Sequence, residues 1–210
     1  MSQRSYRGGG QRQMRTSECC DIVVAGVGGQ GVILLSKIIG KAAVKEGSSV
    51  RAAETHGMAQ RGGSVITHIR LGCKFGPLVP AGGADILLGL EPAEALRYAH
   101  YVSKGGIALV NTNPVLPSTV TTGRAKYPPL DELLAPLRRI CSDVKTLDAT
   151  KIAANAGNPQ AMNVVMLGAL SKYMPLREEI VIESLRESVP AKFLEVNMRA
   201  FEVGKSEIEV

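Results

Sequence analysis

Two glycine-rich loops carry the residues of this chain whose types and spacing could do chemistry. The first closes the run Asp21–Gly31, with Gly26, Gly28 and Gly31 in a G-x-G-x-x-G arrangement and Gly29 and Gln30 between them. The second, Glu54–Gly63, adds an imidazole at His56, an amide at Gln60 and a guanidinium at Arg61, bracketed by Gly57 and the Gly62-Gly63 pair. Glycine lets the backbone approach a ligand closely, and a helix opening after Gly31 would aim its first amides at an anion. Arg61 could grip a phosphate or carboxylate through two parallel hydrogen bonds. The pair of loops therefore implies an anionic ligand, or a partner's cofactor, at the carboxyl edge of a parallel sheet.

Other readings share these residues. A strand before Gly26, a helix after Gly31 and Glu54 at the end of the second strand also match a dinucleotide fingerprint, with the acid on a ribose. That reading makes the chain a stand-alone NAD- or FAD-binding oxidoreductase or a nucleotide-sensing domain. Against it, the length leaves no room for a separate substrate domain. The histidines, His56, His68 and His100, offer no well-placed general acid, so no catalytic residue is assigned. A third reading makes the loops architecture only, with Gly28 and Gly29 forming a tight turn and Arg61 pairing with Glu54.

The elements that must position these loops follow from apolar periodicity. Strands are expected at Asp21–Ala25, Ser49–Ala53, Ser64–Leu71, Asp85–Leu90, Ile107–Val110 and Asp143–Leu147. Helices are expected near Gly31–Glu46, from Glu91-Pro92 to about Ser103 with Gly105-Gly106 as its stop, at Leu130–Arg139 and at Gln160–Ser171. The last third reads as two helices broken at Pro190. Strand–helix alternation without repeats predicts a single α/β domain, a three-layer α/β/α sandwich with a mostly parallel sheet, over residues 19–210. Residues 1–18, rich in Gln, Arg, Gly and Ser, read as a disordered tail.

Composition narrows the class. The chain has 210 residues, 45% hydrophobic and 21% charged, which suits one well-buried domain. Part of its net charge of +6 comes from Arg4, Arg7, Arg12 and Arg15, and no basic stripe with interleaved aromatics argues for nucleic acid. No apolar run is long enough for a membrane span and the first residues lack a signal-peptide core, so a cytoplasmic protein is expected. Cys19, Cys20, Cys73 and Cys141 show neither zinc nor iron–sulfur spacing, and no metal site is assigned. They read as buried or idle thiols, with adjacent Cys19 and Cys20 able to oxidise.

The residues also carry a resemblance. The stretch VAGVGGQGV from Val24 to Val32 and ETHGMAQRGGS from Glu54 to Ser64 resemble the small, gamma-type subunit of the 2-oxoacid:ferredoxin oxidoreductases, most of all its indolepyruvate branch. The similarity continues through Ala84–Arg97, Gly106–Asn113, Gly157–Pro159 and Val189–Leu194. It implies a non-redox subunit of a complex that oxidatively decarboxylates a 2-oxoacid to an acyl-CoA and passes electrons to ferredoxin. Thiamine diphosphate and 4Fe–4S clusters would sit on larger partner subunits. This chain would complete the active site and help receive coenzyme A through Gly26, Gly28, Gly29, Gln30, Gly31, Glu54, His56, Gln60, Arg61, Gly62 and Gly63. The absence of a thiamine-type G-D-G motif agrees with that division of labour.

Overall fold

The computed structural model describes residues 19–56, 62–74 and 76–209. The N-terminal tail expected at 1–18 lies outside them. Six strands form one sheet: β1 (Cys20–Val27), β2 (Val50–His56), β3 (Ser64–Leu71), β4 (Ala84–Gly89), β5 (Val102–Asn111) and β6 (Asp143–Leu147), in the order β2-β3-β1-β4-β5-β6. The β1–β4, β4–β5 and β5–β6 pairs are parallel, whereas β3 runs antiparallel to both β1 and β2. Only β3 is reversed, so the sheet is mostly parallel as expected.

Alternating side chains of the central strands feed two cores. Ile22 and Val24 of β1, Ile86 and Leu88 of β4 and Leu109 of β5 face one side. There they meet α1 (Val32–Lys45), α5 (Ala149–Asn155), α6 (Met162–Ser171), α7 (Glu178–Ser188) and α8 (Leu194–Ser206). Val23, Ala25, Leu87, Ala108 and Val110 face the other side, against α2 (Pro92–Arg97) and α4 (Leu130–Ile140). The remaining helix, α3, is a single turn at Ser118–Thr121. This is the expected three-layer sandwich. Each strand of a parallel sheet covered on both faces must be apolar on both, which is why β4 reads as a continuous apolar run. Among the described residues no helix is long and apolar enough to cross a membrane.

Within this frame two expectations are corrected. The helix expected to reach Ser103 ends at Arg97, and after one 3-10 turn β5 already begins at Val102. Gly105-Gly106, read as a helix stop, lies inside that strand. A Cβ on Gly106 would stand 2.8 Å from Ala84 O and 3.0 Å from Asp85 O, so the glycine serves a close strand contact at an irregular pairing. Two of the cysteines read as buried or idle thiols are also corrected: Cys19 is bonded to Cys73, with Cα atoms 4.9 Å apart.

Candidate functional site at the carboxyl edge

β1 and β2 run the same way, so both glycine loops leave the sheet at its carboxyl edge. The register shows it directly: Val27 is opposite Ser64 and His56 is opposite Val65. The loops are tied by backbone bonds, the Gly28 amide donating to Gly63 O at 2.8 Å and the Gly62 amide to Gly28 O at 3.4 Å. Gly62 and Gly63, which lead into β3, are thus bonded to the turn that follows β1.

The first loop is built by its own side chain. Gln30 Oε1 accepts the Val27 amide at 2.8 Å, and Gln30 Nε2 donates to Leu90 O at 3.1 Å, stitching β1 to the end of β4. Gly26 is buried beneath it; a Cβ there would lie 3.0 Å from Gln30 Oε1 and 3.1 Å from Leu90 Cβ and Val32 Cγ2. Gly29 is exposed at φ +103° and opens toward solvent. Gly31, at φ +81°, precedes α1, and a Cβ would stand 2.2 Å from Asn163 Nδ2. A side chain at Gly31 would therefore be strained by its backbone and would collide with α6.

These bonds decide which amides can meet an anion. The Gly28 amide is committed to Gly63 and the Gln30 amide to Val27 O at 3.0 Å. The first turn of α1 has no intrahelical acceptor for its amides, no capping side chain and no acidic residue, so its positive end is uncompensated by the helix itself.

Beside the loops lies a polar network that sequence reasoning missed. Glu91, 1% exposed, caps α2 by accepting the Glu94 amide at 2.9 Å. Its other oxygen accepts the Val115 amide at 3.4 Å and the Tyr127 hydroxyl, pinning both ends of the segment between β5 and α4. Burial, with the Glu91 carboxylate adding to it, pushes the Tyr127 phenol well above its ordinary range, so it stays a donor. Glu94, also buried, accepts the Ser64 hydroxyl, which in turn accepts the Tyr98 hydroxyl at 2.8 Å. Arg97 closes the set, its Nε 3.1 Å from Glu94 Oε1. Ser64 immediately follows Gly63, so this chain of bonds fixes the base of the second loop. Asn111 at the end of β5 donates to Leu90 O at 3.0 Å and accepts the Ala149 amide at 3.0 Å. The signals were present as Glu91 before Pro92 and as lone polar residues at Asn111 and Asn163.

The expected site residues divide accordingly. Gly26, Gly28, Gly29, Gln30, Gly31, Gly62 and Gly63 meet at one edge, with Gln30 turned inward to shape the turn. The His56 side chain, Gln60 and Arg61 lie outside the described residues. Glu54 is exposed on β2, opposite Thr67 of β3. Because β3 separates β2 from β1, Glu54 is level with Val24 and two strand spacings, about 10 Å, from it, with the β1 turn further along the strand. A dinucleotide fold needs that acid on the strand next to β1, so the ribose role assigned to Glu54 in the oxidoreductase alternative loses its geometry. A groove of about 520 Å³ lined by Ile152, Asn155, Met198, Arg199 and Val203 shares no residue with this edge.

The cysteines do not fit an iron–sulfur cluster. Cys20 packs in the core on one face of the sheet and Cys141 in the core on the other, while Cys19 and Cys73 are joined to each other. Four thiolates cannot converge from those places.

The described residues form an α/β sandwich with a mostly parallel six-strand sheet, and at its carboxyl edge the turn after β1 is bonded to Gly62 and Gly63. Residues 21–207 match the family described as Pyruvate ferredoxin/flavodoxin oxidoreductase. The chain belongs to that family and is part of an enzyme complex of the oxoacid:ferredoxin oxidoreductase kind. It is 48% identical over 186 residues to "Indolepyruvate oxidoreductase subunit IorB" of Archaeoglobus fulgidus, covering 88% of this chain and 92% of that one. The protein of the same description from Thermococcus kodakarensis is 46% identical over 192 residues, covering 88% and 93%. Among solved structures, the gamma subunit of a keto/oxoacid ferredoxin oxidoreductase from Geobacter sulfurreducens superimposes with a TM-score of 0.65 at 26% identity, covering 90% of this chain and 97% of that one.

Proposed function

We propose that this chain is the non-redox subunit of a cytoplasmic indolepyruvate- or aryl-pyruvate:ferredoxin oxidoreductase, and that its two glycine loops help receive coenzyme A. The identity to indolepyruvate oxidoreductase subunits over nearly the whole body supports the substrate class. The observation that carries the site is the interlocking of the loops through Gly28, Gly62 and Gly63, beside the uncompensated start of α1. A helix start of this kind favours phosphate, and Arg61 on the second loop would add a charge-assisted grip.

In the complex, thiamine diphosphate held by a partner subunit would supply the electron sink for decarboxylation, and 4Fe–4S clusters held there would supply a path for electrons toward ferredoxin. This chain's share is to bind and orient. The first turn of α1 and the exposed Gly29 face the anion, Gln30 holds the turn in shape, and the Ser64–Glu94 bond sets the base of the loop bearing His56, Gln60 and Arg61.

The test is Arg61→Ala in the assembled complex. Losing one charge-assisted contact costs about 1.5–3 kcal/mol, which corresponds to a rise of roughly ten- to a hundredfold in the apparent Michaelis constant for coenzyme A. A normal constant in a normally assembled complex would remove the coenzyme A role and leave the loops as architecture. Turnover of other 2-oxoacids in preference to indolepyruvate would overturn the substrate class alone.

A further inference from the structure

At the opposite, amino edge of the sheet, Cys19, Asp21, Arg70 and Cys73 form a compact cluster. Cys19 precedes β1, and Cys73 lies just after β3, in the segment that passes the start of β1 on its way to β4. Their Cα atoms are 4.9 Å apart, within the range a disulfide spans without backbone movement. The same positions also suit two thiols. In the bonded pair Asp21 Oδ1 lies 3.2 Å from Cys73 Sγ and 3.6 Å from Cys19 Sγ, so one carboxylate oxygen stands beside both sulfurs and is at hand for a thiol when the bond opens.

A metal ion is the competing occupant of two sulfurs and a carboxylate. Arg70 argues against it, because its Nε and Nη2 reach Asp21 Oδ1 and Oδ2 at 2.8 and 3.0 Å. The carboxylate charge is already neutralised, and a cation beside it would face a guanidinium at close range.

We propose that Cys19 and Cys73 are a reversible dithiol–disulfide pair that, when oxidised, staples the entry of β1 to the β3–β4 connection. Cys19 is half-buried and Cys73 is 3% exposed, so Cys19 is the sulfur that meets a soluble oxidant. With a small-molecule disulfide such as oxidised glutathione, the Cys19 thiolate attacks one sulfur, breaks that S–S bond and releases one glutathione thiol. The Cys73 thiolate then attacks Cys19 Sγ and releases the second. The protein loses two hydrogens and two electrons, and the glutathione disulfide gains them. Arg70 already holds the connection through Gly76 O at 2.9 Å and Leu78 O at 3.3 Å, so the staple adds a covalent tie to a segment otherwise held by hydrogen bonds.

The experiment equilibrates the assembled complex in glutathione buffers of graded redox poise, then blocks free thiols and maps this chain by mass spectrometry. The expected result is a Cys19–Cys73 cross-linked peptide at the oxidising end, with Cys20 and Cys141 blocked as free thiols and full reversal by dithiothreitol. Cys73→Ser should stop at a glutathione adduct on Cys19. Amides in residues 76–83 should exchange roughly tenfold more slowly in the oxidised form. Four free thiols at the oxidising end, or a Cys19–Cys20 link instead, would overturn the pair. Unchanged exchange in residues 76–83 of the cross-linked wild-type chain would overturn the staple, and that measurement needs no variant to fold.

Discussion

At the amino edge of the sheet the buried charges are paired with each other, whereas at the carboxyl edge buried carboxylates are held largely by neutral donors. Asp21 and Arg70, each with a side chain about 10% exposed, form a two-point ion pair across β1 and β3. Glu91 instead accepts two backbone amides and a phenol, and Glu94 accepts a serine hydroxyl and an exposed arginine. The amino edge is thus a knot within the sheet, where removing one partner strands a charge in the interior. The carboxyl edge is a set of hydrogen bonds from loops and helix starts, in which losing one donor strands no opposite charge. The first arrangement serves the fold, and the second anchors the base of the loops for which a binding role is proposed.

The largest effect expected from this contrast is at the amino edge. Asp21→Ala leaves the Arg70 guanidinium buried without its carboxylate, a loss of about 3–5 kcal/mol. For a chain of this size the melting temperature should fall on the order of 10 °C. In complexes that still assemble, the apparent Michaelis constant for coenzyme A should not change. Thermal unfolding and steady-state kinetics on the same preparation check both halves. A variant that melts normally would mean the pair contributes nothing net, and the contrast between edges would fail.

At the carboxyl edge the cost should be smaller but should reach function. Glu91→Gln keeps the shape and removes the charge that holds Tyr127 and the Val115 amide, a loss of about 1–3 kcal/mol. Tyr127→Phe should cost about 1 kcal/mol by the same reasoning. Both should speed amide exchange in residues 112–116, where Val115 and Leu116 stand 39% and 48% exposed. Both should also weaken assembly or turnover more than Asp21→Ala does per unit of lost stability. Equal damage to stability with untouched turnover would make this edge as purely structural as the other.

How much of this was legible in the sequence differs between the same two regions. The glycine loops announced their place because glycine spacing and the strands before them are local signals, and β1, β3 and β6 begin or end within a residue or two of the expected bounds. Alternation shows only that β3 exists, and its reversal could have been read from the connection, since the seven residues between β2 and β3 suit a hairpin and are too few for the crossover that parallel neighbours need. That single reversal is what moves Glu54 away from the β1 turn. Gly105-Gly106 misled because a glycine pair reads as a helix stop, while the need for it comes from the backbone of β4 next door. The Glu91 network joins residues 24 and 36 positions apart in sequence, and the cysteine pair 54. No local pattern could have matched those partners.

The smallest expected effect concerns pH and the same β3–β4 connection that Arg70 and Cys73 hold. His68 of β3 is 3% exposed, and its Nδ1 accepts the Val79 amide at 3.3 Å, so the imidazole is neutral with its proton on Nε2. Its ring stands edge-on to Tyr101, with centroids 4.9 Å apart. Burial lowers the His68 pKa below its usual 6.5. In the unfolded chain the ring takes a proton near that value, whereas the folded chain takes it only at lower pH. Just below pH 6.5 the unfolded state therefore binds more protons, and stability falls as pH drops until the folded ring also protonates. Protonating His68 would also turn the Val79 amide's acceptor into a donor, releasing one tie on the connection. Stability measured by denaturant unfolding should thus decline between neutral and mildly acidic pH in the wild-type chain. His68→Gln should flatten that decline at the cost of about 1 kcal/mol at neutral pH. A slope that survives the substitution would place the titrating group elsewhere and leave the connection governed by Arg70 alone.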